Sequence, residues 1–88
     1  MKIKKGFMMR KVAGNPVVVA IGPAAETLRG VVKLNESASL MWELLKTGAE
    51  KEELVRALVK EYDITAEQAA PDVDAFVASL NDIGCLEA

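Results

Sequence analysis

Strand-forming segments fill the first third of the chain and helix-period segments fill the rest, with no helix between the strands. That order predicts an α+β domain, a three-stranded antiparallel sheet followed by three helices. A further observation ties the two halves together. Gly30 to Leu45, GVVKLNESASLMWELL, passes from a β-branched run into a helical apolar stripe across one capping residue. A chain of 88 residues has room for one core, so residues 1–88 read as a single domain.

Phe7 to Val12 and Val17 to Ile21 are the first two strands, and Ala13-Gly14-Asn15-Pro16 between them predicts a hairpin turn. Gly22-Pro23 ends the second strand and opens a loop running to about Leu28. The third strand is Gly30 to Leu34. If Lys33 faces solvent, the two-residue period turns Val32 and Leu34 inward. Asn35 then caps a helix, since its side-chain oxygen can accept a backbone N–H one turn on, and Glu36 suits the helix dipole. Ala38, Met41, Trp42 and Leu45 form one apolar stripe at i, i+3, i+4 and i+7. Leu40 and Leu44 form a second stripe on nearly the opposite side. A helix apolar on two sides is expected to be sandwiched, with Trp42 near the middle.

Thr47-Gly48 stops that helix. Glu50 to Tyr62 is the second, with Leu54, Val55, Leu58, Val59 and Tyr62 on one face, an acidic start, and a favourable Glu52–Arg56 pair. Ala49 falls at its expected cap, where it is about 1 kcal/mol worse than Ser or Asp. Thr65-Ala66-Glu67-Gln68 has the form of a capping box and opens a third helix to Ile83, with Gly84 as its C′ stop. Ala69, Val73, Phe76, Val77, Leu80 and Ile83 make one apolar arc on it. Pro71 lies inside this pattern and predicts a kink or break near Ala70.

The composition, 51% apolar and 27% charged, is that of a globular protein. No apolar run approaches the ~20 residues that cross a bilayer. Met1 to Lys5 is basic but no signal-peptide core follows it, so a cytoplasmic protein with no membrane partner is expected. The single Cys85 allows no internal disulfide and reads as a small buried hydrophobe. The net charge of −2 hides a split: residues 1–33 sum to +6 and residues 34–88 to −8. A basic front of this kind can steer an acidic partner.

Much chemistry is excluded. The chain has no histidine and one cysteine, too few for a zinc site of ordinary ligand spacing. Its six glycines are scattered, so no phosphate loop is present. Ser37 and Ser39 have no histidine to activate them. The expectation is therefore no enzyme, no cofactor and no metal. A winged-helix regulator would lay its third helix against DNA phosphates, yet here that helix carries Glu67, Asp72, Asp74 and Asp82 and no Lys or Arg. Such a helix repels nucleic acid. A homodimer through Leu40 and Leu44 is the other alternative to a binding role, with those leucines as core if it fails.

Three strands followed by three helices, the middle one short, make a winged-helix-like arrangement. Within it, Val32-Lys33-Leu34-Asn35-Glu36-Ser37, then Met41-Trp42-Glu43-Leu44-Leu45 and Gly48, resemble the "LNET…IWELL…G" signature of the PqqD-like family. Asp72-Val73, Phe76-Val77, Leu80 and Ile83-Gly84-Cys85-Leu86 are similar to that family's "DV..FL..L...GLI" ending. Two departures are Ala49, where the family has a Thr or Ser cap, and Pro71 before the Asp-Val pair. The resemblance implies a peptide chaperone, or RiPP recognition element. Such proteins hold the leader segment of a ribosomally made precursor peptide and present its core to a modifying enzyme, often a radical S-adenosylmethionine enzyme. Pyrroloquinoline quinone synthesis is the founding case. The leader adds as a strand beside the third strand, in the cleft between it and the third helix. An unpaired sheet edge is a template for such addition. The expected peptide-binding residues are Val31, Val32, Lys33 and Leu34 on that edge, and Val73, Phe76, Val77 and Leu80 on the third helix.

Overall fold

The structure is a computed structural model that describes residues 1–26 and 32–87. In chain order its elements are β1 (Lys2–Ile3), β2 (Phe7–Val12), β3 (Asn15–Ala20), a 3-10 turn (Gly22–Glu26), β4 (Val32–Lys33), α1 (Glu36–Thr47), α2 (Lys51–Tyr62), α3 (Ala66–Asp82) and β5 (Leu86–Glu87). β2, β3 and β4 form the expected antiparallel sheet, in that spatial order. Gly30 and Val31, the start of the expected third strand, lie outside the described residues.

The hairpin is tighter than expected. Its turn is Ala13-Gly14 alone, with φ of 53° and 82°, and Asn15 and Pro16 belong to β3. A two-residue turn with both φ positive matches the right-handed twist of the strands it joins. Pro16 is tolerated in a central strand because of where its missing N–H falls. Leu34 donates its N–H to the Pro16 carbonyl at 2.9 Å, but Pro16 has no N–H to return. The ladder between β3 and β4 therefore stops at Lys33.

Asn35 caps α1 as expected, its side-chain oxygen accepting from Ala38 N–H at 2.8 Å. Ala38, Met41, Trp42 and Leu45 are all buried, and Trp42 packs with Val18 of the sheet and Leu54, Leu58, Val73 and Leu80 of the other helices in one cluster. Leu40 and Leu44 are half-buried and pack against the same cluster, so the second stripe takes part in the fold's own core. Thr65 and Gln68 exchange both bonds of the capping box, at 3.0 and 3.1 Å. Gly84, at φ 71°, follows the end of α3.

Four local expectations need correction. α2 begins one residue later than expected: its cap is Glu50, whose N–H donates to the Glu53 carboxylate at 3.2 Å. Ala49 is not a cap but a buried residue that exchanges two main-chain hydrogen bonds with Met1, at 3.0 and 2.8 Å, which explains a small apolar side chain there. The Glu52–Arg56 pair does not close; instead Lys51 reaches Asp74 of α3 at 2.6 Å. An exposed pair gains little by closing, because ordering two long side chains offsets the attraction. Finally, the break expected near Ala70 does not occur, and α3 runs from Ala66 to Asp82 through Pro71. Pro71 is exposed and lies early in the helix, so the carbonyl it orphans at Glu67 can be met by water.

The sequence reading missed a second, two-stranded sheet. β1 pairs antiparallel with β5, Lys2 opposite Glu87 and Ile3 opposite Leu86, and Lys4 N–H continues the ladder to the Cys85 carbonyl at 2.8 Å. The basic start of the chain is thus a strand that anchors the end of α3. Cys85 is fully buried there, and burial pushes its thiol from 9.0 up to about 11, slightly opposed by a backbone hydrogen bond and Lys4.

Removing Trp42 empties the centre of the core, so Trp42→Ala should lower unfolding stability by about 3–5 kcal/mol in a denaturant titration. For Cys85, the folded state holds the thiol proton more tightly than the unfolded chain does. That contribution is complete below about pH 9 and is lost as pH rises toward 11. The unfolding midpoint should therefore fall more over that range in the wild type than in Cys85→Ala. A thiol reagent at pH 8 should label the native protein slowly and the denatured protein at once.

Candidate functional site

Beside β4 the sheet has no further strand among the described residues, and α3 passes this open edge. The space between them is a cleft of about 410 Å³. Val32, Lys33 and Leu34 form one wall, and Asp72, Ala75, Phe76, Ser79, Leu80 and Ile83 of α3 form the other. Asn35, Ser37, Ala38 and Met41 at the start of α1 close the floor.

Backbone parity decides which groups β4 offers. Leu34 turns its N–H to β3, so Val32, two residues earlier, does the same. The N–H and C=O of Lys33 between them point to the open edge. Side chains alternate the other way. Val32 lies level with Val18, which is fully buried, so Val32 and Leu34 face the core side and Lys33 faces out.

The expected residues divide accordingly. Val32, Lys33, Leu34, Phe76 and Leu80 line the cleft. Val73 has no exposed surface, and Val77 is half-buried and not part of the cleft wall. Helix geometry explains the division. At about 100° per residue, Phe76 and Ile83 lie on one flank of the buried Leu80–Val73 line and Val77 lies on the other. Asp74 is further round on Val77's side, and its bond to Lys51 marks that side as facing α2. The cleft takes the opposite flank, which Asp72, Ala75 and Ser79 continue. Val31 lies outside the described residues.

Ala75 and Ser79 were missed by the sequence reading. Their signal is faint: two small residues at i and i+4 beside the apolar arc, which leave depth in the cleft. Ser79 Oγ donates to the Ala75 carbonyl at 3.0 Å, so its polarity is satisfied within the helix. Around Asn35 the cleft meets a second hollow of about 440 Å³, walled by Glu36, Asp72, Leu58, Tyr62 and Ile64. Partial burial holds the Tyr62 phenol above the usual tyrosine range, and the carboxylates of Glu36 and Glu61 add to this. No group of three or more His, Cys, Asp or Glu placed to hold a metal occurs among the described residues. No helix among them is long and apolar enough to cross a membrane.

The sequence profile described as "Coenzyme PQQ synthesis protein D (PqqD)" matches residues 19–86, from the end of β3 to the start of β5. The chain belongs to the PqqD family. The matched span holds β4, α1 and α3, all three walls of the cleft. No curated protein matches the chain. Among solved structures, that of TbiB1 in complex with the TbiA(beta) leader peptide is similar, with a TM-score of 0.79 at 24% identity. The similarity covers 100% of this chain and 96% of that one, and it supports the α+β fold.

The cleft flank of α3 and its buried line should respond differently to added bulk. Ala75→Phe, on the exposed cleft side, should change unfolding stability by no more than about 0.5 kcal/mol. Val73→Phe overpacks the core and should cost about 1–3 kcal/mol. Equal losses would mean that the Ala75 flank is packed and not an open wall of the cleft.

Proposed function

We propose that this protein binds the leader segment of a ribosomally made precursor peptide as an added strand on β4 and presents the remainder to a modifying enzyme. The observation that carries the reading is the open β4 edge facing a cleft walled by α3. Membership of the PqqD family supports it. So does the match to TbiB1, which has been solved with a leader peptide bound. In this reading the protein performs no chemistry itself and acts in the cytoplasm. Its partner is a radical S-adenosylmethionine enzyme, as the sequence resemblance implies. The acidic residues of α3 continue to argue against nucleic acid as the ligand.

Magnitudes decide which contacts matter. Lys33 offers one outward N–H and one outward C=O, and at about 1 kcal/mol net per bond these give roughly 2 kcal/mol. That corresponds to binding weaker than 1 mM, the constant for about 4.1 kcal/mol. Burying two apolar peptide side chains in the cleft adds about 3–6 kcal/mol. The total, roughly 5–8 kcal/mol, reaches about 200 μM to 1 μM before the cost of ordering the peptide. Strand pairing sets the register, and the apolar wall of Leu34, Phe76, Leu80 and Ile83 supplies most of the affinity.

Candidate leader peptides should, on titration into isotope-labelled protein, shift the amides of Val32 to Leu34 and Asp72 to Leu80. Ser79→Trp, which fills the cleft from an exposed position, should weaken the same peptides at least tenfold without unfolding the protein. Shifts confined to α2 or to the β2 edge would sink the site assignment.

A further inference from the structure

The register of the sheet says more about the bound strand than that it is apolar. Arg10, Val17 and Lys33 lie level with one another across β2, β3 and β4, on the face opposite the main core cluster. Val17 in the middle of the row is itself buried, and Arg10 and Lys33 at its ends are exposed. Met9, Val18 and Val32 form the adjacent row on the core face. Leu34, bonded to Pro16, begins the next core-face row. A fourth strand beside β4 extends each of these rows by one residue. The residue level with Lys33 shares its outward face, and the residues before and after it face the cleft. This holds for either direction of the added strand, because it follows from the two-residue period alone.

Charge then sorts the positions. Lys33 and Arg10 are exposed, and neither forms an ion pair among the described residues. Directly opposed side chains on neighbouring strands lie about 4.5–5.5 Å apart at Cβ, so Lys33 meets the added residue at close range. Arg10 is two strands further away, roughly 10 Å beyond, and adds only a screened background of the same sign. On the cleft side the charge that α3 contributes to the lining is the carboxylate of Asp72. Lys11, level with Pro16 and Leu34, lies two strands from the edge and is as screened as Arg10. An acidic residue facing inward meets repulsion and desolvation, whereas one facing outward meets a cation.

We propose that the strand held at β4 carries an apolar–acidic–apolar triplet, its acidic side chain beside Lys33 and its apolar pair in the cleft against Phe76, Leu80 and Ile83. The inference rests on the leader-binding reading and narrows it to a peptide class. Lys33 is then the residue that selects the central position, and the cleft selects its two neighbours.

A yeast-displayed library of random twelve-residue peptides, sorted in parallel against the wild type, Lys33→Gln and Lys33→Glu, tests this without knowledge of the natural leader. The wild type should enrich Asp or Glu between two apolar residues. Lys33→Glu should enrich Lys or Arg at that position, and Lys33→Gln should show no charge preference. For single enriched peptides, exchanging the central Glu for Lys should weaken wild-type binding about two- to fivefold and have the opposite effect on Lys33→Glu. Both differences should shrink in about 0.5 M salt. If all three proteins enrich apolar peptides that shift the β4 amides but share one central residue, the charge selection is wrong and the leader-binding reading survives. If no peptide is enriched, or those enriched bind away from β4, the reading and this inference fall together.

Discussion

The bond from Ala38 N–H to the side chain of Asn35, 2.8 Å long, marks where the sheet ends and the helical layer begins. On one side of it, Pro16 withholds an N–H and stops the ladder at Lys33. On the other, α1 starts after only Leu34 and Asn35. The short β4 is therefore held against α1, its outer edge unpaired among the described residues. Trp42, Met41 and Leu45 then fix α1 among the sheet, α2 and α3. The width of the cleft is set by this core packing, in which Met41 and Leu80 of the cleft lining themselves take part.

The far end of α3 is secured by a different device. β1 and β5 pair the two ends of the described chain, and Cys85 and Leu86 bury themselves beneath that pairing. Met1 also ties to Ala49 at the junction of α1 and α2. One side of α3 is thus committed to α2, through Val77 and the Lys51–Asp74 bond, and its end is pinned. The flank bearing Phe76, Ile83 and the small residues Ala75 and Ser79 is left facing the β4 edge. An apolar helix flank opposite an unpaired edge is an arrangement a peptide strand can complete.

The elements of this fold were legible in the sequence where side-chain period and cap chemistry agreed. Asn35, the Thr65–Gln68 box and Gly84 bound their helices as the residues imply, and the stripe from Ala38 to Leu45 is core. What was illegible depends on long-range pairing. Two-residue strands such as β1 and β5 carry no periodic signal, and Ala49 looks like a poor cap until Met1 is seen against it. Pro71 misled because its cost depends on exposure and position along the helix. At the site, the apolar arc of α3 was readable but its division was not. Period alone tells that Phe76 and Val77 are both apolar, not that one faces β4 and the other α2.

Hydrogen exchange at a single amide tests the central claim most directly. In the free protein the Lys33 N–H points to the open edge, while the Val32 and Leu34 N–H groups already point to β3. A bound leader strand should slow exchange at Lys33 by at least tenfold and leave Val32 and Leu34 nearly unchanged. If a leader peptide binds and Lys33 exchanges as before, the peptide has not joined this sheet, and the account of the site is wrong.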